Sequence, residues 1–99
     1  MKMADSRIIL KNAIDTFGVS MQLNIAVEEF SELTKEICKH KRGADNISNI
    51  IEEMADCYIM LEQMQMMFGL SSTVIADAVN KKIERLNRML AEHQTEKER

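Results

Sequence analysis

The chain has 99 residues, no proline, three glycines and a formal net charge of −3. A single domain of this size buries only about two-thirds of its unfolded surface, and the negative balance argues against general binding to nucleic acid polymers. No apolar run approaches the roughly 18 residues of a membrane span, and the opening Met1-Lys2-Met3-Ala4-Asp5 lacks the apolar core of a signal peptide, so a cytoplasmic protein is expected.

Leu, Met, Ala, Ile, Glu and Lys fill long stretches, and alternating β-branched runs are absent, which predicts an all-α fold. Gly18, Gly43 and Gly69 each follow a helical pattern and suit the left-handed position beyond a helix end. Cap candidates follow them: Ser20, then Asp45 or Asn46, then Ser71 or Ser72. Four helices are expected, near residues 4–17, 21–41, 46–68 and 72–95. Short loops predict that sequential helices run antiparallel. The end of the chain, Thr95-Glu96-Lys97-Glu98-Arg99, has no apolar anchor and is expected to fray. With no repeat or linker, residues 1–99 read as one domain.

The second helix carries the apolar stripe Leu23, Ala26, Val27, Phe30, Leu33, Ile37. The third carries Ile47, Ile50, Ile51, Met54, Tyr58, Leu61, Phe68, and the fourth Ile75, Val79, Ile83, Leu86, Leu90. Each is expected to be core. Met60, Met64, Met66 and Met67 make the second half of helix three apolar nearly all round. That pattern suits either a partner subunit or flexible core filling. Cys38 and Cys57 have neither CxxC spacing nor a histidine at ligand spacing, and read as reduced, structural residues.

The chemistry sits in two acidic motifs, Glu28-Glu29-Phe30-Ser31-Glu32 and Glu53-Met54-Ala55-Asp56. Within each, carboxylates three residues apart share a helix face. With Phe30 at the centre of its stripe, Glu29, Glu32 and Glu36 fall on one flank, together with Gln22 and Ile25. With Met54 at the centre, Glu53 and Asp56 fall on a flank of the same rotational sign. On neighbouring antiparallel helices, flanks of equal sign both face the seam or both face away from it. Glu29 and Glu32 precede Gly43 by 14 and 11 residues, and Glu53 and Asp56 follow Asp45 by 8 and 11, so the two pairs overlap in height. One ExxE motif alone means a solvated acidic face. Two at matched depth predict four carboxylates gathered around a cation.

A di-iron site would need Glu-x-x-His on two helices, which His40 and His93 do not supply. Zinc would need Cys or His, and a calcium loop would need the Asp-x-Asp-x-Asp-Gly pattern. An all-oxygen site therefore points to Mg²⁺, with Mn²⁺ able to substitute, and Mg²⁺ usually bridges to substrate phosphates. In helix four, Lys82 falls at the edge of the apolar stripe and Arg85 one turn along. They read as a phosphate clamp or as snorkelling surface cations. Lys35, Lys39, Lys41 and Arg42 form another basic group and read as a solvated face. No Walker-type loop is present, which leaves metal-assisted hydrolysis as the enzyme class to consider.

Together these motifs resemble the MazG-like all-α nucleoside triphosphate pyrophosphohydrolase superfamily, relatives of the all-α dUTPases and dCTPases. The resemblance covers about residues 20 to 90 and rests on Glu28, Glu29 and Glu32, then Glu53 and Asp56, with Leu33 and the Lys82-x-x-Arg85 pair also fitting. It implies a four-helix bundle that assembles as a homodimer or homotetramer, and Mg²⁺-dependent cleavage of a nucleoside triphosphate to the monophosphate and pyrophosphate. By the same resemblance Glu29, Glu32, Glu53 and Asp56 are metal ligands, Glu28 a neighbour or secondary ligand, and Lys82 and Arg85 phosphate contacts. Gln22 and Ile25, with Asn12 from helix one, are the expected base-pocket residues. Glu36 or Glu28 is the expected acceptor of the attacking water's proton. The alternative is a non-catalytic helical module that binds a protein partner or a nucleotide.

Overall fold

The computed structural model describes residues 3–98. It contains four α-helices, α1 (Met3–Phe17), α2 (Val19–Lys41), α3 (Ile47–Met67) and α4 (Ser72–Glu98), and no strand among the described residues. No described helix is long and apolar enough to cross a membrane. The chain divides into two compact units, Met1–Gly69 and Leu70–Arg99.

The three glycines mark the breaks, as the sequence predicts. Gly18 alone separates α1 from α2, with φ 90° and ψ 155°. Its N–H donates to the Ile14 carbonyl at 2.8 Å, and its own carbonyl accepts from Gln22 at 3.1 Å, so one residue closes one helix and opens the next. Side chains other than glycine's strongly disfavour that backbone geometry. Gly43, at φ 99°, ends the turn after α2, where its N–H reaches the His40 carbonyl at 2.9 Å. Ser71 caps α4 by accepting from the Val74 N–H at 3.3 Å. Asn46 occupies the N-cap of α3, but its side chain makes no capping bond.

In the first unit α2 and α3 pack along a common seam, and α1 lies against both. The bonded pairs show how α2 and α3 run: Asn46 meets Glu36, and Cys57 meets Glu29, so numbers rise on one helix as they fall on the other. Arg7 of α1 pairs with Glu62 of α3 at 3.1 Å, and the buried Gln63 donates a long 3.5 Å bond to the Leu10 carbonyl.

The seam differs from the expected core. The buried residues of these helices are Gln22, Ala26 and Glu36 on α2 and Cys57, Met60 and Gln63 on α3, the last bonded to α1. Most of the apolar stripe lies outside the seam: Val27 is 66% exposed, Ile51 60% and Tyr58 69%. Phe30, Leu33, Met54, Cys57, Tyr58 and Leu61 line an open apolar groove of about 250 Å³. On α4 the stripe residues Val79, Ile83, Leu86 and Leu90 are all exposed as well. The physical reason is that helical periodicity identifies a face that must be covered, without identifying what covers it. Met60 is buried, whereas Met64, Met66 and Met67 are half-buried.

Candidate metal centre

Three carboxylates meet at the middle of the α2–α3 seam. Glu29 from α2 and Glu53 and Asp56 from α3 each offer an oxygen within 4.8 Å of the other two, and all three residues are half-buried. Glu53 and Asp56 share a face because three residues make most of a helical turn. Glu29 faces them because its flank turns toward α3 rather than away from it. Glu32 lies one turn along α2, exposed and outside this trio, yet its charge still acts on Glu53.

The electrostatics record the crowding. Partial burial, then hydrogen bonding and charge from Asp56, then the charge of Glu53, push the Glu29 carboxyl up to about 7. Burial and the charges of Asp56 and Glu32 raise Glu53 as well. Near neutral pH Glu29 is thus only partly ionised, which relieves like-charge repulsion. Glu53 Oε2 is buried and accepts no hydrogen bond. Beside the cluster the Cys57 Sγ–H donates to the Glu29 backbone carbonyl at 3.5 Å. Burial, and then the charges of Glu29, Glu53 and Asp56, raise the pKa of that thiol. Cys57 is free and buried, and Cys38 free and exposed.

Glu36 sits at the α3 N-terminal end of the seam, with its side chain 7% exposed. Lys39 pairs with it at 3.2 Å, and Asn46 donates to its backbone carbonyl at 2.9 Å and to its carboxylate at 3.4 Å. Burial pushes this carboxyl up, but the bonds from Lys39, Asn46 and Asn49 outweigh burial and hold it below the usual range. Its charge reaches Glu53.

The other residues singled out in the sequence are more dispersed. Glu28 is exposed, Gln22 is buried, Ile25 is half-buried and Asn12 is exposed on α1. Lys82 and Arg85 are exposed on α4, in the second unit. Sequence reasoning did not single out two residues of the hairpin: Asn46 beyond its capping role, and Cys57 as a neighbour of the acids. The position of Asn46 just before the helix, seven before Glu53, was the available signal for the first. For Cys57 it was the position one residue after Asp56.

The donor set fits a hard divalent cation. It is all oxygen, it comes from two helices, and one buried oxygen lacks a partner, whereas no imidazole or thiolate joins the trio. Comparison with known proteins gives no match to the chain among family models, curated proteins or solved structures.

Proposed function

We propose that this protein is a Mg²⁺-dependent nucleoside triphosphate pyrophosphohydrolase of the MazG-like superfamily, built as an antiparallel helical bundle and active as a homo-oligomer. The observation that carries the reading is the Glu29–Glu53–Asp56 cluster, three carboxylates within 4.8 Å on adjacent helices, none of them in an ion pair among the described residues. Such a cluster is costly without a cation and well suited to one. Glu32, one turn along, would be available as a further carboxylate ligand. Mg²⁺ would neutralise charge on the triphosphate and activate the attacking water, and Mn²⁺ would substitute.

In this reading Glu29, Glu53 and Asp56 supply the negative charge that fixes the ion. Glu36, whose charge already reaches Glu53, or the exposed Glu28 takes the water's proton. The family resemblance alone, through the Lys-x-x-Arg spacing, suggests phosphate contacts for Lys82 and Arg85. Gln22 and Ile25 contribute to the base pocket.

Pyrophosphate release from a panel of ribo- and deoxynucleoside triphosphates, with and without Mg²⁺, tests the proposal. The wild type releases pyrophosphate from at least one nucleotide, and Asp56→Ala loses at least about 100-fold, the scale on which removing one charged group from a preorganised site acts. Equal background rates for the two proteins remove the catalytic assignment.

The exposed apolar stripe favours a second reading, a helical interaction module whose stripe binds a partner and whose acids do no chemistry. That reading predicts melting indifferent to both Mg²⁺ and nucleotide.

A further inference from the structure

Asn46 is placed to cap its own helix and does not. It is the N-cap residue of α3, yet its side chain makes no bond to the α3 backbone. Asparagine is among the strongest capping residues, so the lost bond is a real cost to α3. The side chain turns instead across the seam and donates to the Glu36 backbone carbonyl at 2.9 Å. A second, longer bond at 3.4 Å reaches the Glu36 carboxylate. Asn46 is 6% exposed and Glu36 equally so, which keeps water from competing for these bonds. Asn46 Oδ1 is left buried without a partner, a further cost of this orientation.

The register explains what this arrangement achieves. Glu36 stands seven residues after Glu29 on α2, and Asn46 stands seven before Glu53 on α3. Seven residues are two helical turns on each strand of the hairpin. The Asn46–Glu36 bond and the Glu29–Glu53 approach therefore lie at equivalent levels of the seam, about 10 Å apart along it. Asn49, one turn into α3, also bonds the Glu36 carboxylate, but only Asn46 ties α3 to the α2 backbone there among the described residues. The turn between them contains Gly43, and most of the apolar stripe lies outside the seam.

We propose that Asn46 is a positioning residue: its cross-helix bond to the Glu36 backbone sets the register that brings Glu29 opposite Glu53 and Asp56 to form the divalent-cation site. The inference rests on the metal-site reading above. A slide of one helical position would turn Glu53 away from Glu29 and replace it with a residue about 100° round the helix. A carboxylate cluster is self-repelling, so in the absence of a cation it favours such a slide, and a fixed bond two turns away opposes it. Because Asn46 binds a backbone carbonyl, the pin does not depend on the charge of Glu36.

The test compares Mn²⁺ binding, followed by electron paramagnetic resonance of the free ion, in wild type, Asn46→Ser and Asn46→Ala. All measurements are made well below each protein's melting temperature, with helicity checked by circular dichroism. Serine restores a side-chain cap to α3 but is too short to span the seam. Alanine supplies neither the cap nor the pin. The two variants should therefore differ in melting temperature, with Asn46→Ser the more stable, and yet share a Kd for Mn²⁺ raised by about tenfold or more, the usual effect of losing a group that orients metal ligands. Wild-type affinity in the folded Asn46→Ser variant overturns the positioning role and leaves the metal site standing. Failure of the wild type to bind Mn²⁺ overturns the metal reading, and the positioning role with it.

Discussion

Among single residues, Glu29 reports most sensitively on the centre. Its carboxyl, raised to about 7 by partial burial and by Asp56 and Glu53, binds a proton in the folded protein that the unfolded chain releases near 4.5. The folded state thus holds more protons than the unfolded one between those values, and the stability contributed by Glu29 falls as pH rises through about 7. Glu36 is shifted the other way and is ionised in both states throughout this window, so it does not cancel the trend. Without divalent ions the melting temperature should be lower at pH 8 than at pH 5.5, and millimolar Mg²⁺ should stabilise the protein more at the higher pH. A melting temperature independent of pH over that range, measured in chelator, would contradict the crowding. Glu53→Gln carries the same logic into mutagenesis. It removes one of the repelling charges, so the metal-free protein should gain a few degrees, on the order of 1 kcal/mol, while losing its Mg²⁺-dependent stabilisation. A site that gives up stability for its chemistry behaves this way, whereas a solvated acidic face would show neither effect.

The elements follow the sequence closely in extent and less closely in packing. Glycine punctuation places all four helices to within two or three residues at each boundary, because Gly18, Gly43 and Gly69 all adopt positive φ between helical segments. The convergence of Glu29 with Glu53 and Asp56 was legible only in part: residue number fixes relative rotation and height on two neighbouring helices but not whether both flanks face the seam or solvent, and the expected fourth acid, Glu32, stays outside. The composition of the seam was not legible. The wheel marks Val27, Phe30, Met54 and Tyr58 as the face to bury, but the single chain leaves Val27 and Tyr58 more exposed than Phe30, while Gln22, Glu36 and Asn46 are buried. Hydrophobic periodicity ranks faces by their need for cover and carries no information on whether the cover comes from the same chain. The role of Asn46 was hidden for a related reason: a cap and a cross-helix pin use the same residue at the same place. Gly18 gives this scale its own prediction. A Cβ there meets nothing within 4 Å, so the cost of Gly18→Ala is purely conformational. At φ 90° and ψ 155° it should destabilise by about 1–3 kcal/mol in denaturant unfolding. A change near zero would mean that the α1–α2 break can adopt another geometry.

For the molecule as a whole, the buried hydrophobic residues are few: Ala26, Cys57 and Met60 among those described. Against them stands a long series of exposed large side chains, including Ile51, Tyr58, Ile83, Leu86 and Leu90. Each such side chain is worth about 1.5–3 kcal/mol when covered, so the proposed homo-oligomer would gain stability by covering this surface. Sedimentation at micromolar concentration should give a multiple of the 11.4 kDa chain, and Tyr58→Glu should shift the mass toward one chain with a loss of thermal stability. A wild type sedimenting at 11.4 kDa would instead mean that the stripe is exposed in solution. The central claim, that Glu29, Glu53 and Asp56 together hold a divalent cation, is tested most directly by anomalous X-ray scattering from crystals soaked in Mn²⁺. The account predicts an anomalous peak about 2.1 Å from carboxylate oxygens of all three residues. Crystals in millimolar Mn²⁺ that show no peak there, or peaks only at other surface acids, would contradict it.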